Sequence, residues 1–325
     1  MTALLEVSNL VTEFGRSPKS PGLRAVNDVS FSLQRGRVLG LVGESGSGKS
    51  VTGFSIMRLL DKPGRVASGQ IMFDGQDLAK VSDEGMRRLR GKRIAMVFQD
   101  PMMTLNPVLT IGTQMIEAVR AHDDVSKDVA RQRARDALGL VGIPSPEERL
   151  SAFPHQFSGG MRQRVAIAIA VLHQPDLIIA DEPTTALDVT IQSQIISEFQ
   201  KLAEQSNTAV IWITHDLAIV SRLADDIAVM YAGRLVETGT VMEVLGDPRH
   251  PYTRGLIASV PSENRRGEPL RQIPGMTPSI TRLPKGCSFQ TRCERVSEGC
   301  LIMPPLIPED NRAFRCIHPY RKAEA

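Results

Sequence analysis

The 325-residue sequence contains no long hydrophobic run, and this absence argues against a transmembrane helix. Its longest uninterrupted apolar stretches, such as Val165 to Leu172, are far shorter than the roughly 18 residues that a transmembrane helix needs. The first residues, Met1 to Glu6, lack the basic segment that begins a secretory signal peptide, and an acid follows at once. The sequence therefore predicts a protein that stays in the cytosol.

Net charge and cysteine are also scarce. The formal net charge is only +3, so no large basic surface is expected and nucleic acid is not a predicted partner. The first 286 residues contain no cysteine, and all four cysteines follow them. In a reducing compartment, thiols clustered in this way favour metal ligation over disulfide formation.

The residues that are present indicate an α/β protein of about two domains. Hydrophobic residues make up 42% of the chain and charged residues 23%, an ordinary globular composition. Alternation of apolar and polar residues predicts strands in the first third, and a helical pattern follows over about residues 110–156. The unbroken apolar runs 177–180 and 209–213 are typical of parallel strands that are buried on both faces.

A glycine-rich loop near residue 45 has the pattern of a phosphate-binding loop. A short apolar strand, 38–42, precedes it, and a helix predicted over Ser50 to Leu60 follows, which is the context this motif requires. Glycines let backbone N–H groups converge on phosphate oxygens, and the helix N-terminus adds positive potential. Lys49 is expected on the β- and γ-phosphates of ATP, and the Ser50 hydroxyl on Mg²⁺. The candidate nucleotide-binding residues here are Gly43, Ser45, Gly46, Ser47, Gly48, Lys49 and Ser50.

Two acids, Asp181 and Glu182, directly follow the apolar run 177–180. Ligands of open α/β sheets bind at the carboxyl ends of the strands, where both carboxylates would lie. Asp181 suits the Mg²⁺ shell, and Glu182 suits general-base activation of the attacking water. Taken alone, such a pair more often belongs to a solvated loop, so the interpretation depends on the phosphate loop upstream.

The segment Phe157-Ser158-Gly159-Gly160-Met161-Arg162-Gln163-Arg164 resembles the signature of the ATP-binding cassette (ABC) family. Phe157 and Met161 depart from the usual Leu-Ser-Gly-Gly-Gln form, yet both stay apolar. The resemblance implies a P-loop ABC ATPase with a parallel core sheet, an antiparallel β layer and a helical subdomain. In that family Ser158, Gly159 and Gly160 open a helix that reaches the γ-phosphate held by the opposite subunit, and helix N-termini do favour phosphate.

The resemblance assigns roles to further residues in chain order. Gln99 matches the glutamine that contacts Mg²⁺ or the lytic water and reports to the membrane partner. Asp188, in the segment 186–188, matches the loop that crosses the dimer interface. His215 matches the switch histidine on the γ-phosphate, so Glu182, His215 and Gln99 are the expected catalytic residues. Phe14 is the expected adenine-stacking aromatic, with Phe31 and other core aromatics as alternatives.

Further segments resemble the ATP-binding subunits of oligopeptide and dipeptide importers. They are 97–107, 250–253 and the cysteine-bearing end of the chain. The resemblance implies an ABC domain over 1–245, with a helical insertion at about 105–165, and a C-terminal extension over 246–325. It also implies a related but distinct second ATPase subunit, two transmembrane permease subunits and an extracytoplasmic peptide-binding protein. The chain would then lie on the cytoplasmic face of the inner membrane.

Other functions remain open at this point. Nickel and some other solute importers share the same branch. A soluble ABC ATPase acting on ribosomes or DNA is less favoured, because such proteins fuse two cassettes or insert a long coiled coil. Only about 58 residues separate Gln99 from Ser158. A non-catalytic binding module is disfavoured because Lys49, Glu182 and His215 are all retained.

The spacing of Cys287, Cys293, Cys300 and Cys316 is C-x5-C-x6-C-x15-C. Four thiolates are the ligand count of a [4Fe–4S] cluster. Structural Zn²⁺ is the alternative, although zinc sites usually contain a tighter cysteine pair. Four unrelated thiols are the third possibility. The resemblance favours iron, since some peptide-importer ATPases with this tail carry a cluster, and metal cross-links would stabilise a proline-rich tail.

Overall fold

The computed structural model of the chain describes residues 3–15, 22–185, 187–261, 264, 269 and 271–321. The chain divides into two compact units. The first comprises Met1–Leu33, Val38–Ala79 and Ile213–Ala325, and the second comprises Gln34–Arg37 and Lys80–Trp212. This division differs from the expected boundary at residue 245, which stays a prediction, as does the helical insertion.

The first unit contains an antiparallel sheet with the strand order β2-β1-β4-β5. Its predicted alternation is present, because Leu5 and Val7 are buried whereas Glu6 between them is exposed. Asp74 (φ 50°) and Gly75 (φ 78°) join β4 to β5 in the conformation that a type I′ hairpin turn requires. The strands are β1 (Leu5–Phe14), β2 (Leu23–Leu33), β4 (Gly64–Phe73) and β5 (Gln76–Asp77).

A second set of strands in this unit precedes and supports the phosphate loop. Strand β3 (Val38–Val42) is fully buried and runs parallel to β9 (Asp226–Tyr231). From β9 the order continues antiparallel through β10 (Arg234–Thr240) and β12 (Arg312–Phe314) to β11 (Ile307–Glu309). The C-terminal segment therefore adds its own strands to the edge at β10.

Local backbone and side-chain features set several helix ends in the first unit. The helix after the phosphate loop ends earlier than predicted, because Arg58 adopts a left-handed conformation (φ 51°) that terminates it. A reciprocal capping box between Thr240 and Glu243 begins α9. The four helices named here are α1 (Lys49–Met57), α8 (Leu217–Leu223), α9 (Val241–Gly246) and α10 (Pro251–Ala258).

The second unit combines parallel strands with helices. Strand β6 (Ile94–Val97) runs parallel to β7 (Leu177–Asp181), and β8 (Ala209–Thr214) is the next strand after β7. All five residues of β7 are buried, as the apolar run predicted. Ser126 caps α4 by accepting the Val129 N–H at 3.3 Å. The helices are α2 (Asp83–Leu89), α3 (Ile111–Arg120), α4 (Lys127–Leu140), α5 (Pro146–Arg149), α6 (Gly159–Val171) and α7 (Val189–Ser206).

These elements confirm the predicted α/β class, with parallel strands, helices and an antiparallel β layer. Within the described ranges, no helix has both the length and the apolar character needed to cross a membrane.

Candidate nucleotide site

The phosphate loop follows β3 in the first unit, and its glycines are required by close packing. A Cβ on Gly43 (φ 152°) would lie 2.2 Å from the Met230 carbonyl oxygen, and one on Gly48 (φ 105°) 2.6 Å from the Ala25 carbonyl oxygen. Gly46 (φ 77°) instead faces open space, because a Cβ at this position would have no atom of the described residues within 4 Å. The loop is therefore pressed against its own unit at both ends and open at its middle.

The polar groups of this loop fit a bound phosphate chain. The buried Lys49 lies over the loop, where its Nζ donates to the carbonyl oxygens of Gly43 (2.8 Å) and Glu44 (3.0 Å). The Ser47 hydroxyl is buried without a hydrogen-bond partner among the described residues. In the same part of the chain, no side chain caps the N-terminus of α1, and no acid lies in its first turn. This N-terminus keeps the positive potential that anions favour.

Glu44 is a loop residue for which the sequence suggested no role. Its carboxylate pairs with Arg292, 2.7 Å away, from the C-terminal segment. Burial tends to raise the pKa of this carboxyl, but hydrogen bonds from Arg292 and Thr277 and the charges of Arg292 and Lys49 outweigh it, so the pKa is lowered. A carboxylate that stays ionised thus lies within the phosphate loop.

Two further predicted residues belong to the first unit. His215 is exposed on the turn between β8 and α8. Its neighbour Asp216 fixes that turn by accepting the Ala218 N–H at 2.8 Å and donating its own N–H to the Thr214 hydroxyl at 3.0 Å. Phe14 ends β1 and is half-buried, and its ring lies against Gly64. The adenine-stacking role of Phe14 stays a prediction.

In the second unit, the predicted acids and Gln99 lie at or just beyond the carboxyl ends of two neighbouring strands. Val97 aligns with Ala180 in the parallel pair β6–β7, so the residues that follow both strands emerge side by side. Asp181 is buried, whereas Gln99 is exposed. Glu182 has a positive φ of 45°, and its carboxylate accepts the Thr185 hydroxyl at 3.0 Å. Such backbone strain is typical of functional positions.

The Ser-Gly-Gly segment opens α6, as predicted. Ser158 is exposed and caps the helix by accepting the Met161 N–H at 3.3 Å, while the adjacent Phe157 is buried and anchors the turn. A methyl group at Gly159 would come within 4 Å of no described atom outside its own helix and its chain neighbours. The helix N-terminus is therefore accessible to a ligand held by another molecule.

Two neighbouring features complete this unit. Asp188 is exposed and caps α7 by accepting the Ile191 N–H at 3.0 Å, whereas Ala186 of the same motif lies outside the described residues. Gln163 lies in the signature segment and was assigned no role from the sequence. It is buried, and its Nε2 donates to the Phe98 carbonyl oxygen at 3.4 Å. Gln163 therefore connects α6 to the loop that carries Gln99, a contact between distant segments that no sequence pattern indicates.

The prediction of an iron–sulfur cluster is wrong. Cys287, Cys293, Cys300 and Cys316 are free and line one small cavity. Nevertheless, no group of three or more histidine, cysteine, aspartate or glutamate side chains in the described part of the chain is positioned to hold a metal ion. Burial raises the pKa of Cys287 and Cys293, and that of Cys316 to about 12, which favours thiols over the thiolates that metals bind. The zinc alternative fails for the same reasons.

Comparison with known proteins decides the family. Residues 26–185 match the family described as ABC transporter, and residues 236–300 match the oligopeptide/dipeptide transporter C-terminal region. The oligopeptide transport ATP-binding protein OppD of Bacillus subtilis is 51% identical over 296 residues, which cover 90% of this chain and 82% of that protein. The chain belongs to the ABC transporter family. The dipeptide transport ATP-binding protein DppD of Escherichia coli is 47% identical over 319 residues, covering 98% and 97% of the two chains.

Solved ABC ATPases share the fold. The cassette MJ0796, solved as a post-hydrolysis dimer bound to ADP and Pi, matches with a TM-score of 0.66 and 26% identity, covering 73% of this chain and 98% of that one. CbiO1 from Clostridium perfringens, part of an ABC transporter complex, matches with a TM-score of 0.64 and 28% identity, covering 76% and 92%. The predicted ABC ATPase fold, the ATPase activity with its ATP and Mg²⁺, and the peptide-transport branch are thereby confirmed. The individual site residues stay predictions.

Proposed function

We propose that this chain binds and hydrolyses ATP to power a membrane importer of di- or oligopeptides. The observation that carries the proposal is the combination of an open phosphate loop in the first unit with a C-terminal region that matches peptide transporters. The similar proteins from Bacillus subtilis and Escherichia coli are oligopeptide and dipeptide transport ATP-binding proteins, which supports the same assignment.

The phosphate loop of the first unit would hold the nucleotide. Lys49 would exchange its two carbonyl contacts for β- and γ-phosphate oxygens, and the loop is open to a ligand at Gly46. When bound, Mg²⁺ would neutralise part of the negative charge of the phosphates. In this assignment the Ser50 hydroxyl, Gln99 and the Asp181 carboxylate would hold it.

Glu182 would act as the general base. Its strained backbone and the hydrogen bond from Thr185 fix the carboxylate at the end of β7, next to Asp181. A carboxylate fixed in this way orients water and accepts its proton without first having to reorganise. His215 would contact the γ-phosphate, and Gln99 would respond to its presence.

The exposed N-terminus of α6 supports a role in an assembled dimer. Ser158 and Gly159 are exposed at the start of the helix, where no side chain at Gly159 or Gly160 would obstruct its N–H groups, so a phosphate held by a second subunit would fit there. Asp188 would lie at the same interface. We assign the second subunit to a related but distinct ABC ATPase, in keeping with the peptide-importer branch.

Exposed apolar side chains that closely follow Gln99 in the chain support docking to membrane subunits. Met102, Met103 and Val108 are 42%, 73% and 74% exposed in the segment that follows β6. Large exposed apolar surfaces mark protein-interaction sites, and these three side chains would contribute to one. Two permease subunits would bind here and hold the chain at the cytoplasmic face of the inner membrane, and an extracytoplasmic peptide-binding protein would deliver the substrate.

Reconstitution tests the proposed function. The chain, a partner ATPase, two permease subunits and the binding protein are assembled in proteoliposomes, and labelled dipeptide or oligopeptide uptake is measured with ATP turnover. We expect uptake that requires ATP and ceases in the Lys49→Ala variant. Uptake of nickel but not of peptide would overturn the proposal. ATP turnover that is stimulated by ribosomes or DNA, without any transport, would also overturn it.

A further inference from the structure

We propose that Arg292 is a positioning residue for the phosphate loop, through which the C-terminal segment 271–321 sets the affinity for nucleotide. The inference rests on the proposed role of loop 43–50 in binding ATP. It extends that role to a segment that contains none of the nucleotide-binding motifs.

Arg292 binds both carboxylate oxygens of Glu44, the second residue of the loop. Its Nη1 lies 2.7 Å from Oε2 and its Nη2 lies 3.0 Å from Oε1, a bidentate pair. The Arg292 side chain is 4% exposed and that of Glu44 29%, so water screens the pair only partly. The Thr277 hydroxyl donates to the same Oε2 at 2.5 Å. Segment 271–321 thus satisfies the Glu44 carboxylate with two of its residues.

Arg292 is itself held rigidly within the C-terminal segment. Its Nε donates to the Pro274 carbonyl oxygen at 2.8 Å, and its Nη1 lies 3.4 Å from the Tyr231 hydroxyl. The guanidinium lies 5.9 Å from the ring centroids of both Tyr231 and Phe289. A guanidinium fixed on so many sides imposes its position on the carboxylate that it binds.

The backbone of Glu44 transmits this constraint to the phosphate-binding lysine. The Glu44 N–H donates to the buried Tyr252 hydroxyl at 2.9 Å, and its carbonyl oxygen accepts from Lys49 Nζ at 3.0 Å. A displacement of the Glu44 backbone would therefore move an oxygen that orients Lys49 before nucleotide binds. The side chain and both backbone polar groups of this one residue are engaged.

Charge gives the contact a second consequence. Glu44 places a negative charge in a loop whose ligand is a chain of negatively charged phosphates. Arg292 compensates that charge at hydrogen-bonding distance. If Arg292 loses its charge, the carboxylate repels phosphate and competes with it for Lys49. The effect of removing Arg292 should therefore depend on whether residue 44 is charged.

A double-mutant cycle on the full chain tests the proposal, with Mg-ADP binding measured by calorimetry. We expect Arg292→Gln to weaken binding by about tenfold, within the usual range for coupling between sites. Glu44→Gln should weaken it less, and Arg292→Gln should add little in the Glu44→Gln background. The control is Arg315→Gln, because Arg315 lies in the same segment, has a side chain 7% exposed, and pairs with Asp28 at 3.1 Å rather than with the loop. Its Mg-ADP affinity should match the unmodified chain.

Equal weakening by Arg292→Gln and Arg315→Gln, or an Arg292→Gln effect that is the same in both backgrounds, would overturn the proposal. Hydrogen exchange of the nucleotide-free chain adds a readout that needs no nucleotide. Loop amides 43–49 should exchange faster in Arg292→Gln but not in Arg315→Gln, and unchanged exchange would also overturn it. If the unmodified chain binds no nucleotide, the proposed function fails, whereas hydrogen exchange still tests whether the Arg292–Glu44 pair holds the loop in place. If Arg292→Gln does not fold, Arg292→Lys, which keeps the charge but not the bidentate contact, takes its place and should weaken binding.

Discussion

A single buried histidine predicts how acid destabilises the first unit. His250 is 1% exposed, and its Nδ1 accepts the Tyr252 N–H at 3.0 Å as the cap of α10. Burial lowers the pKa of His250 from its usual value of 6.5 to about 3. Protonation would leave a charge inside the protein and would turn the accepting nitrogen into a donor that faces another N–H.

The sign and size of the effect follow from linkage. Because the folded-state pKa is depressed, this stabilising contribution is complete above the unfolded-state pKa and is lost as pH falls from about 6.5 towards 3. Each pH unit inside that window lowers the free energy of unfolding by about 1.4 kcal/mol. From about pH 7.5 to about pH 5 the loss sums to about 2 kcal/mol.

A neighbouring carboxyl acts in the opposite direction, so the comparison needs a variant. Glu237 accepts the N–H groups of Arg249 (2.7 Å) and His250 (2.9 Å), and burial raises its pKa. Its contribution to stability is therefore lost as pH rises, not as it falls. His250→Asn removes only the histidine, because asparagine caps helices equally well and leaves Glu237 unchanged.

Urea unfolding followed by circular dichroism at about pH 7.5 and about pH 5 provides the measurement. The stability lost between the two pH values should be about 2 kcal/mol smaller in His250→Asn than in the unmodified chain. Thr110→Asn, which changes a cap without a titrating group, is the control and should keep the unmodified pH dependence. Equal acid sensitivity of His250→Asn and the unmodified chain would refute the reasoning.

Three further predictions concern the site and the core. Glu182→Gln should keep nucleotide binding but slow hydrolysis by about 10²- to 10⁴-fold in the assembled transporter, and near-normal turnover would contradict its role. Gly46→Ala should lower the free energy of unfolding by only about 1 kcal/mol, because of its positive φ, yet it should impair Mg-ADP binding. Gly43→Ala should unfold at a markedly lower urea concentration, because its Cβ would meet backbone atoms. Equal stabilities of the two variants would contradict this. Phe199→Ala should cost about 3–5 kcal/mol and shift the fluorescence of Trp212, the sole tryptophan, whose ring centroid lies 5.1 Å away; unchanged stability and emission would contradict this.

Local patterns made much of the architecture predictable. The phosphate loop is contiguous, and the strand before it and the helix after it are short-range features. Ser126 precedes α4 and caps it, and a cap of this kind is a short-range feature because the capping side chain is only three residues from its donor. The run 177–180 is buried because each of its residues is apolar, whichever strands lie beside it.

Contacts between distant segments were not predictable. Arg292 and Glu44 are 248 residues apart in the chain, and Arg292 is one of 39 basic residues of which any might pair with that acid. Gln163 and the Phe98 carbonyl pose the same difficulty. In each pair the partner is selected by the tertiary fold, so neither residue carries a distinguishing sequence pattern.

The cysteines illustrate why four ligating residues do not by themselves make a metal site. The C-terminal segment was expected to need a metal because its prolines leave little regular structure, but the fold stabilises it in other ways. Strand β12 pairs with β10, and Phe289 packs against Tyr231 and Tyr252 at centroid distances of 5.2 and 5.4 Å. Four arginines of the C-terminal region, all with largely buried side chains, also pair with acids: Arg249–Glu309, Arg312–Asp247, Arg315–Asp28 and Arg292–Glu44. Two of these acids, Asp28 and Glu44, lie outside that region. Separating one of these pairs would leave an uncompensated buried charge, so the pairs hold the segment in one arrangement. The phosphate loop is part of that arrangement because Glu44 belongs to it.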